Sequence, residues 1–232
     1  MQAKAQLQNL IRHINEYWLT DASFVVLLVT LIFTVFFLPV LIEFGQMDVF
    51  FVNLVFLFLF FTGIWSSTNT FLMVLTSLLF VAQLVLRLLR FSSLPVEFYL
   101  AERVVGLANM MVFIFLNIRL LFRNDEINLY RVIGAINVYL LLAVLGAFAF
   151  EIVNLLLGDS ISGLHEFSGL DQDFSVYIYF SLVSLTTVGF GDYIPVNVVS
   201  KMISVFLSAV GILYPAIVIS KLVGSNVQRK QS

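Results

Sequence analysis

Long apolar runs separated by short polar breaks dominate this chain. A helix needs about 20 mostly apolar residues to cross a bilayer. By that measure residues 22–42 form a first span. Residues 49–65 and 71–89 form the second and third, parted by the polar Ser66-Ser67-Thr68-Asn69-Thr70. Residues 96–122 form the fourth, bracketed by Pro95 and the charged Arg123-Asn124-Asp125-Glu126. Residues 130–157 form the fifth, closed by Gly158 and Asp159, and residues 198–224 the sixth. Between the last two lies an apolar stretch, residues 173–187, too short to cross and better suited to a helix that enters and returns.

That short stretch runs straight into Gly189 and Gly191. Irregular backbone at membrane depth is tolerated only where protein or a water-filled cavity surrounds it. A half-helix followed by a glycine-bearing loop is therefore a pore-lining arrangement. At the other end of the chain, Leu7, Leu10, Ile11, Ile14 and Trp18 recur at helical spacing against Lys4, Gln8, Arg12 and Glu16. Residues 1–20 are expected to form an amphipathic helix in the membrane interface, anchored by Tyr17 and Trp18.

Composition agrees with the pattern. The chain is 61% hydrophobic and 11% charged, whereas a soluble domain carries about 25% charged residues. Lipid must cover the excess. Net charge is −2 with no long basic run, so nucleic acid is not an expected partner. Cysteine is absent, which excludes disulfides and thiolate chemistry. His13 and His165 lie far apart and form no metal cluster, and no spaced nucleophile and base stand out. Neither an enzyme nor a cofactor is expected, and no removable signal peptide is seen. Lys4, Arg12, Arg119, Arg123, Arg131, Lys221, Arg229 and Lys230 fall on one side of the six spans, and Arg87, Arg90, Arg103 and Lys201 on the other. The richer side is expected to be cytoplasmic, with both termini in it and the chain multi-pass in the cell membrane. Arg87 and Arg90 fit that orientation poorly.

The candidate chemistry sits in residues 184–195, Ser-Leu-Thr-Thr-Val-Gly-Phe-Gly-Asp-Tyr-Ile-Pro. An ion entering a membrane needs oxygens to replace its lost water. Thr187, Val188, Gly189, Phe190 and Gly191 can offer stacked main-chain carbonyls and one hydroxyl, because glycine accepts backbone angles that a β-carbon resists. The C-terminal end of the preceding helix would also favour a cation.

Thr186-Thr187-Val188-Gly189-Phe190-Gly191-Asp192 resembles the signature sequence of the tetrameric potassium channel family, with Phe190 where tyrosine is commoner. Rings of carbonyls replacing the hydration shell are the established mechanism of that family, and they come with the resemblance. It implies potassium bound at Thr187, Val188, Gly189 and Phe190. It implies filter support from Tyr179 and Phe180, where pore helices of the family often carry two tryptophans, and from Val183, Thr186 and Asp192. Small two-helix bacterial members place a glutamate where this chain has Val183. Tyr179 is placed to donate to Asp192 and restore one brace. Residues 198–224 resemble the inner helix, with Gly211 at the usual hinge position and Pro215 after it. Gly211, Tyr214 and Pro215 are the expected gating residues, with Ile212, Tyr214, Pro215 and Ile219 narrowing the cytoplasmic end. Close helix packing is the alternative role for Gly211.

The six-span layout resembles voltage-gated members, but their arginine ladder is missing. The fourth span holds only Arg103 and Arg119. These are expected to snorkel to opposite interfaces. Arg87 and Arg90, near Glu97 and Glu102, read either as a residual sensor or as interfacial, ion-paired charges at a helix end. The expected organisation is therefore an all-α membrane protein with six transmembrane helices, a re-entrant pore helix and a selectivity-filter loop. It divides into an interfacial helix (1–20), a four-helix voltage-sensor-like domain (21–123), a pore domain (124–224) and a short cytoplasmic tail (225–232). Within the pore domain fall an outer helix (130–157), pore helix (173–187), filter (187–192) and inner helix (198–224). The expected function is passive potassium permeation by a homotetramer among membrane lipids, with little voltage dependence. A weakly selective cation channel, a potassium transporter and a non-conducting channel subunit are the alternatives.

Overall fold

Segments that are apolar on nearly every face are stable only inside a bundle or in lipid. A computed structural model of the chain describes residues 22–45, 49–64, 70–90, 98–121, 129–163, 167 and 171–229. The expected interfacial helix over residues 1–20 lies outside the described residues, as do Glu97 and Arg123.

The first rod consists of α1 (Ala22–Ile32), a π-helical segment Phe33–Phe37 and α2 (Leu38–Glu43). Pro39 accounts for the π segment, since it has no N–H to give and its ring crowds the preceding turn. The ladder shifts there, and the Leu38 N–H donates to the Phe33 carbonyl five residues back. The Thr30 and Thr34 hydroxyls donate to the Val26 and Thr30 carbonyls at 2.9 and 2.8 Å, which satisfies both without water.

Three helices complete a four-helix unit: α3 (Val49–Ile64), α4 (Thr70–Arg90) and α5 (Tyr99–Leu121). Beyond it, α6 (Leu129–Leu157) and α8 (Val198–Arg229) flank the short α7 (Phe174–Leu185). Four described helical stretches are long and apolar enough to cross a membrane: Phe24–Glu43, Tyr99–Arg119, Arg131–Leu157 and Val198–Lys221. Phe50–Thr62 is a shorter apolar helix. The chain is thus mostly helical and consistent with an all-α membrane protein. The 12 residues of α7 rise about 18 Å, well short of a hydrocarbon core about 30 Å thick.

Element boundaries differ from the sequence reading at several points, among them the end of α7 at Leu185 in place of residue 187. A 3₁₀ turn, Asp171–Asp173, precedes α7, and α8 stays helical to Arg229, past the expected end at residue 224. The structure also contains a small connection that the sequence reading lacked. Strands β1 (Ile161–Ser162) and β2 (Ile194–Pro195) pair antiparallel, Ile161 opposite Pro195. The Val196 N–H donates to Ser160 O and Asn197 Nδ2 to Asp159 O, both at 3.1 Å. Asn197 then caps α8, its Oδ1 accepting the Ser200 N–H at 2.9 Å. The segment after the glycine loop is thereby tied to the end of α6.

Within the chain α5 lies along α6, α1 also packs on α6, and α2 reaches α7. The four-helix unit therefore sits on α6 and α7 of its own chain. Phe56 of α3, Phe148 of α6 and Phe174 of α7 meet with ring centroids 4.9 to 6.4 Å apart, the spacing of favourable edge and offset contacts. Burial is uneven. Of the apolar stretch of α6, 67% is buried inside the chain, against 17% for α8.

Candidate functional site

Small residues let α7 approach both flanking helices. Gly146 of α6 faces Ser181, and a β-carbon there would meet Ser181 Oγ and lie 2.7 Å from Leu207 Cδ1 of α8. The Ser181 hydroxyl donates to Ala143 O at 2.6 Å. From α8, the Ser208 hydroxyl donates to Ser184 O at 2.9 Å. Tyr139 of α6 donates to Leu185 O at 3.4 Å. Two of the last carbonyls of α7 are therefore held by hydroxyls of its neighbours. The Thr186 hydroxyl turns back to Leu182 O at 2.7 Å, while the Thr187 N–H donates to Ser184 O at 3.1 Å.

The loop after α7 has an unusual backbone. Thr187, Gly189 and Gly191 have φ of +60°, +57° and +82°, whereas Val188 and Phe190 between them do not lie at positive φ. Alternation of this kind turns successive peptide groups so that like main-chain dipoles gather on one side. Neither glycine is forced by crowding, because a β-carbon at either would meet nothing within 4 Å. The conformation itself demands them. Thr187 is the stronger sign, since a β-branched residue at positive φ is a genuine outlier. Val188 and Phe190 are 53% and 71% exposed, so within one chain the loop packs against little.

Tyr179 Oη donates to Asp192 Oδ2 at 2.6 Å, and the Tyr193 N–H donates to Asp192 Oδ1 at 3.1 Å. The Tyr179 and Tyr193 rings meet edge-on at 5.8 Å. Phe180 is buried against Phe150 of α6, centroids 4.9 Å apart, and Val183 is buried beside it on α7. The support residues thus divide into an aromatic packing face and a single polar strut to Asp192.

Gly211 and Tyr214 have roles that the sequence pattern did not determine. A β-carbon on Gly211 would collide with the Leu185 carbonyl oxygen, so glycine is needed there for close approach. Pro215 lies inside α8 and leaves the carbonyl four residues back, that of Gly211, without its helical donor. Tyr214, in the next turn, is directed to α6. Its hydroxyl donates to Ala135 O of α6 at 2.9 Å, and its ring lies 6.4 Å from that of Tyr139. These contacts tie the turn that holds Gly211 and Pro215 to α6. Ile212 and Ile219 are exposed.

The arginines are the larger correction. Arg103 does not snorkel: it is 1% exposed. Its Nε lies 2.9 Å from Glu151 Oε1 of α6, and its Nη2 pairs with Asp171 Oδ1. Its guanidinium carbon lies 4.8 and 5.3 Å from the rings of Tyr99 and Phe148. Arg90 pairs with Asp171 Oδ2 and with Glu102 Oε2, and Arg87 pairs with Glu102 Oε1 and donates to the Asn53 carbonyl. A cation at membrane depth is cheaper to pair than to stretch when carboxylates stand within reach, and the fold brings three. Arg119, at the opposite end of α5, is exposed. Asp171, in the turn outside the long helices, feels two opposed effects. Burial pushes its carboxyl up, but Arg103 and Arg90, with Arg87 behind them, hold it below the usual carboxylate range. Asp171 and Glu151 escaped the sequence reading. Glu151 carried a signal, being an acid inside an apolar span. Asp171 carried none.

Residues 138–227 match the family model described as ion channel. That stretch begins within α6 and includes α7, the positive-φ loop and nearly all of α8. The match supports an ion channel family and, with the apolar helices, suggests a membrane protein of ion channel function rather than an enzyme. It covers somewhat less than half of the chain. No curated protein and no solved structure matches the chain.

Proposed function

We propose that the chain forms a homotetrameric, potassium-selective pore with six spans per subunit and α7 as a re-entrant pore helix. Potassium would be held by the carbonyls of Thr187, Val188, Gly189 and Phe190 and the Thr187 hydroxyl. The observation that carries the reading is the alternation of positive φ at Thr187, Gly189 and Gly191 directly after a helix too short to cross. One chain supplies one loop, so rotational symmetry is needed to close a ring of oxygens. The apolar face of α8, with Met202, Val205, Phe206, Ile212 and Leu213 exposed, agrees with subunit packing around an axis.

Purified full chain in planar bilayers, under potassium and sodium gradients, tests the reading. The reversal potential is expected to follow potassium, and Gly189→Ala is expected to abolish the current. A potential that follows both ions equally supports the second reading, a weakly selective cation channel. The observation favouring that alternative is the sparse bracing of the loop, with no phenol on Phe190 and no carboxylate at Val183. No current in either solution overturns both.

A further inference from the structure

Asp171 stands one turn before α7, and its carboxylate is fully buried. Arg103 of α5 and Arg90 of α4 both pair with it, and Asn53 of α3 donates to it at 3.4 Å. Arg103 also reaches Glu151 on α6, whose other contact is the Tyr99 hydroxyl of α5. Every helix of the four-helix unit except the first thus has a polar grip on the root of α7. The charges balance: Arg87, Arg90 and Arg103 against Glu102, Glu151 and Asp171. Charge-assisted bonds of this kind are short, directional and strongest where water is excluded.

We infer that Arg103 and Asp171 form a clamp through which the four-helix unit positions the pore helix, and so sets the conducting state of the filter loop from behind. This rests on the channel reading above. The route runs from α5 through Asp171 into α7, whose other end leads into Thr187. It is an intrasubunit route, because the unit packs on α6 and α7 of its own chain. Its elements are not all equivalent. Arg87 is as buried as Arg103, but its pairing with Glu102 and Asn53 stays inside the four-helix unit. Arg103 and Asp171 cross to the pore side. Both are positioning residues, acting on the ion only through the main chain of α7.

The test uses the full chain in planar bilayers, as wild type and as Asp171→Asn, Arg103→Gln, their double variant, and Arg87→Gln. Readouts are the potassium-to-sodium permeability ratio and the decay of current during sustained opening. Clamp variants are expected to change either readout by about twofold to thirtyfold, the range of coupling carried by such networks. The double variant is expected to exceed neither single one by much. Arg87→Gln is expected to lower thermal stability while leaving both filter readouts as in wild type. Tyr99→Phe, which keeps every charge and removes the donor to Glu151 and the hydroxyl that accepts from Arg103 Nη2 at 2.9 Å, covers the case in which the charge variants do not assemble. It is expected to shift decay in the same direction by a smaller factor. Wild-type readouts in assembled clamp variants overturn the inference, as does an equal shift in Arg87→Gln. If the clamp variants do not assemble, an unchanged decay in Tyr99→Phe overturns it. A wild-type chain without current overturns the channel reading and the clamp with it, whereas a conducting wild type with unaltered variants overturns the clamp alone.

Discussion

Thr187 holds a β-branched side chain at φ +60°, a conformation that costs about 1–2 kcal/mol for a residue other than glycine. Such strain persists only where the surroundings over-determine it, and it gathers at functional sites. The polar restraint on the loop's outer end is the bond from Tyr179 to Asp192. Tyr179→Phe removes that donor. Hydrogen bonds to charged groups contribute about 1.5–3 kcal/mol, and this one belongs at the low end because Asp192 is exposed. If the chain forms the proposed potassium pore, current in the variant is expected to decay several-fold faster in bilayers, with the gel-filtration elution volume unchanged; decay at the wild-type rate would count against the strut. Asp171 gives a second prediction at this scale. It faces Arg103, Arg90, Arg87 and Asn53, with Glu102, Glu151 and Tyr99 next to them. Its folded carboxyl is depressed, so its stabilisation is complete above the unfolded value near 3.9 and is lost as pH falls through the lower folded one. The gap in thermal stability between wild type and Asp171→Asn should stay constant from about pH 7 to 5 and close below about pH 4.

Helix α8 combines features that compete for one position. Gly211 lets its backbone touch Leu185 at the end of α7, while Pro215 deprives the Gly211 carbonyl of a donor. Contact and weakened ladder thus coincide where Tyr214 anchors the same turn to Ala135 of α6. Because a β-carbon at 211 would fall on main-chain atoms rather than on a movable side chain, Gly211→Ala must push the two elements apart. Overpacking of this kind costs about 1–3 kcal/mol. The variant is expected to melt several degrees lower as a tetramer and to lose most of its flux. Gly158→Ala is the matched control, with φ +73° and open space around it. It carries only the backbone cost of a β-carbon at positive φ, about 1–2 kcal/mol, and its flux should match wild type.

For the whole molecule, the question is whether the field can move the buried arginines. Carrying one charge across the membrane yields about 2.3 kcal/mol per 100 mV. Stripping one partner from a buried ion pair costs about 3–5 kcal/mol, and Arg103 and Arg90 each have two carboxylate partners. Pairing wins at physiological potentials. The conductance–voltage relation is therefore expected to be shallow, with less than about one gating charge per subunit. A curve as steep as that of a channel with a full arginine ladder would show that the network opens. On the proposed channel reading, a four-helix unit held in this way would brace the pore helix.

Sequence alone determined the apolar spans, the short stretch that cannot cross, and the glycines of the loop, because each depends on local chemistry. Span length follows from bilayer thickness, and the missing β-carbon permits the positive φ that Gly189 and Gly191 adopt. The resemblance in residues 186–192 could be read before any fold was known. Tertiary structure decided what the lone polar residues do. Arg103 looks like an interfacial charge until α6 and the turn before α7 bring Glu151 and Asp171 to it from 48 and 68 positions away along the chain. Tyr214 finds its hydrogen-bond partner, the Ala135 carbonyl, only when α6 packs beside it. Gly211 reads as hinge or packing position, and only the fold supplies the Leu185 carbonyl against it. Partners distant in sequence leave no periodic trace, and the energy of a buried charge depends almost wholly on which partners the fold delivers.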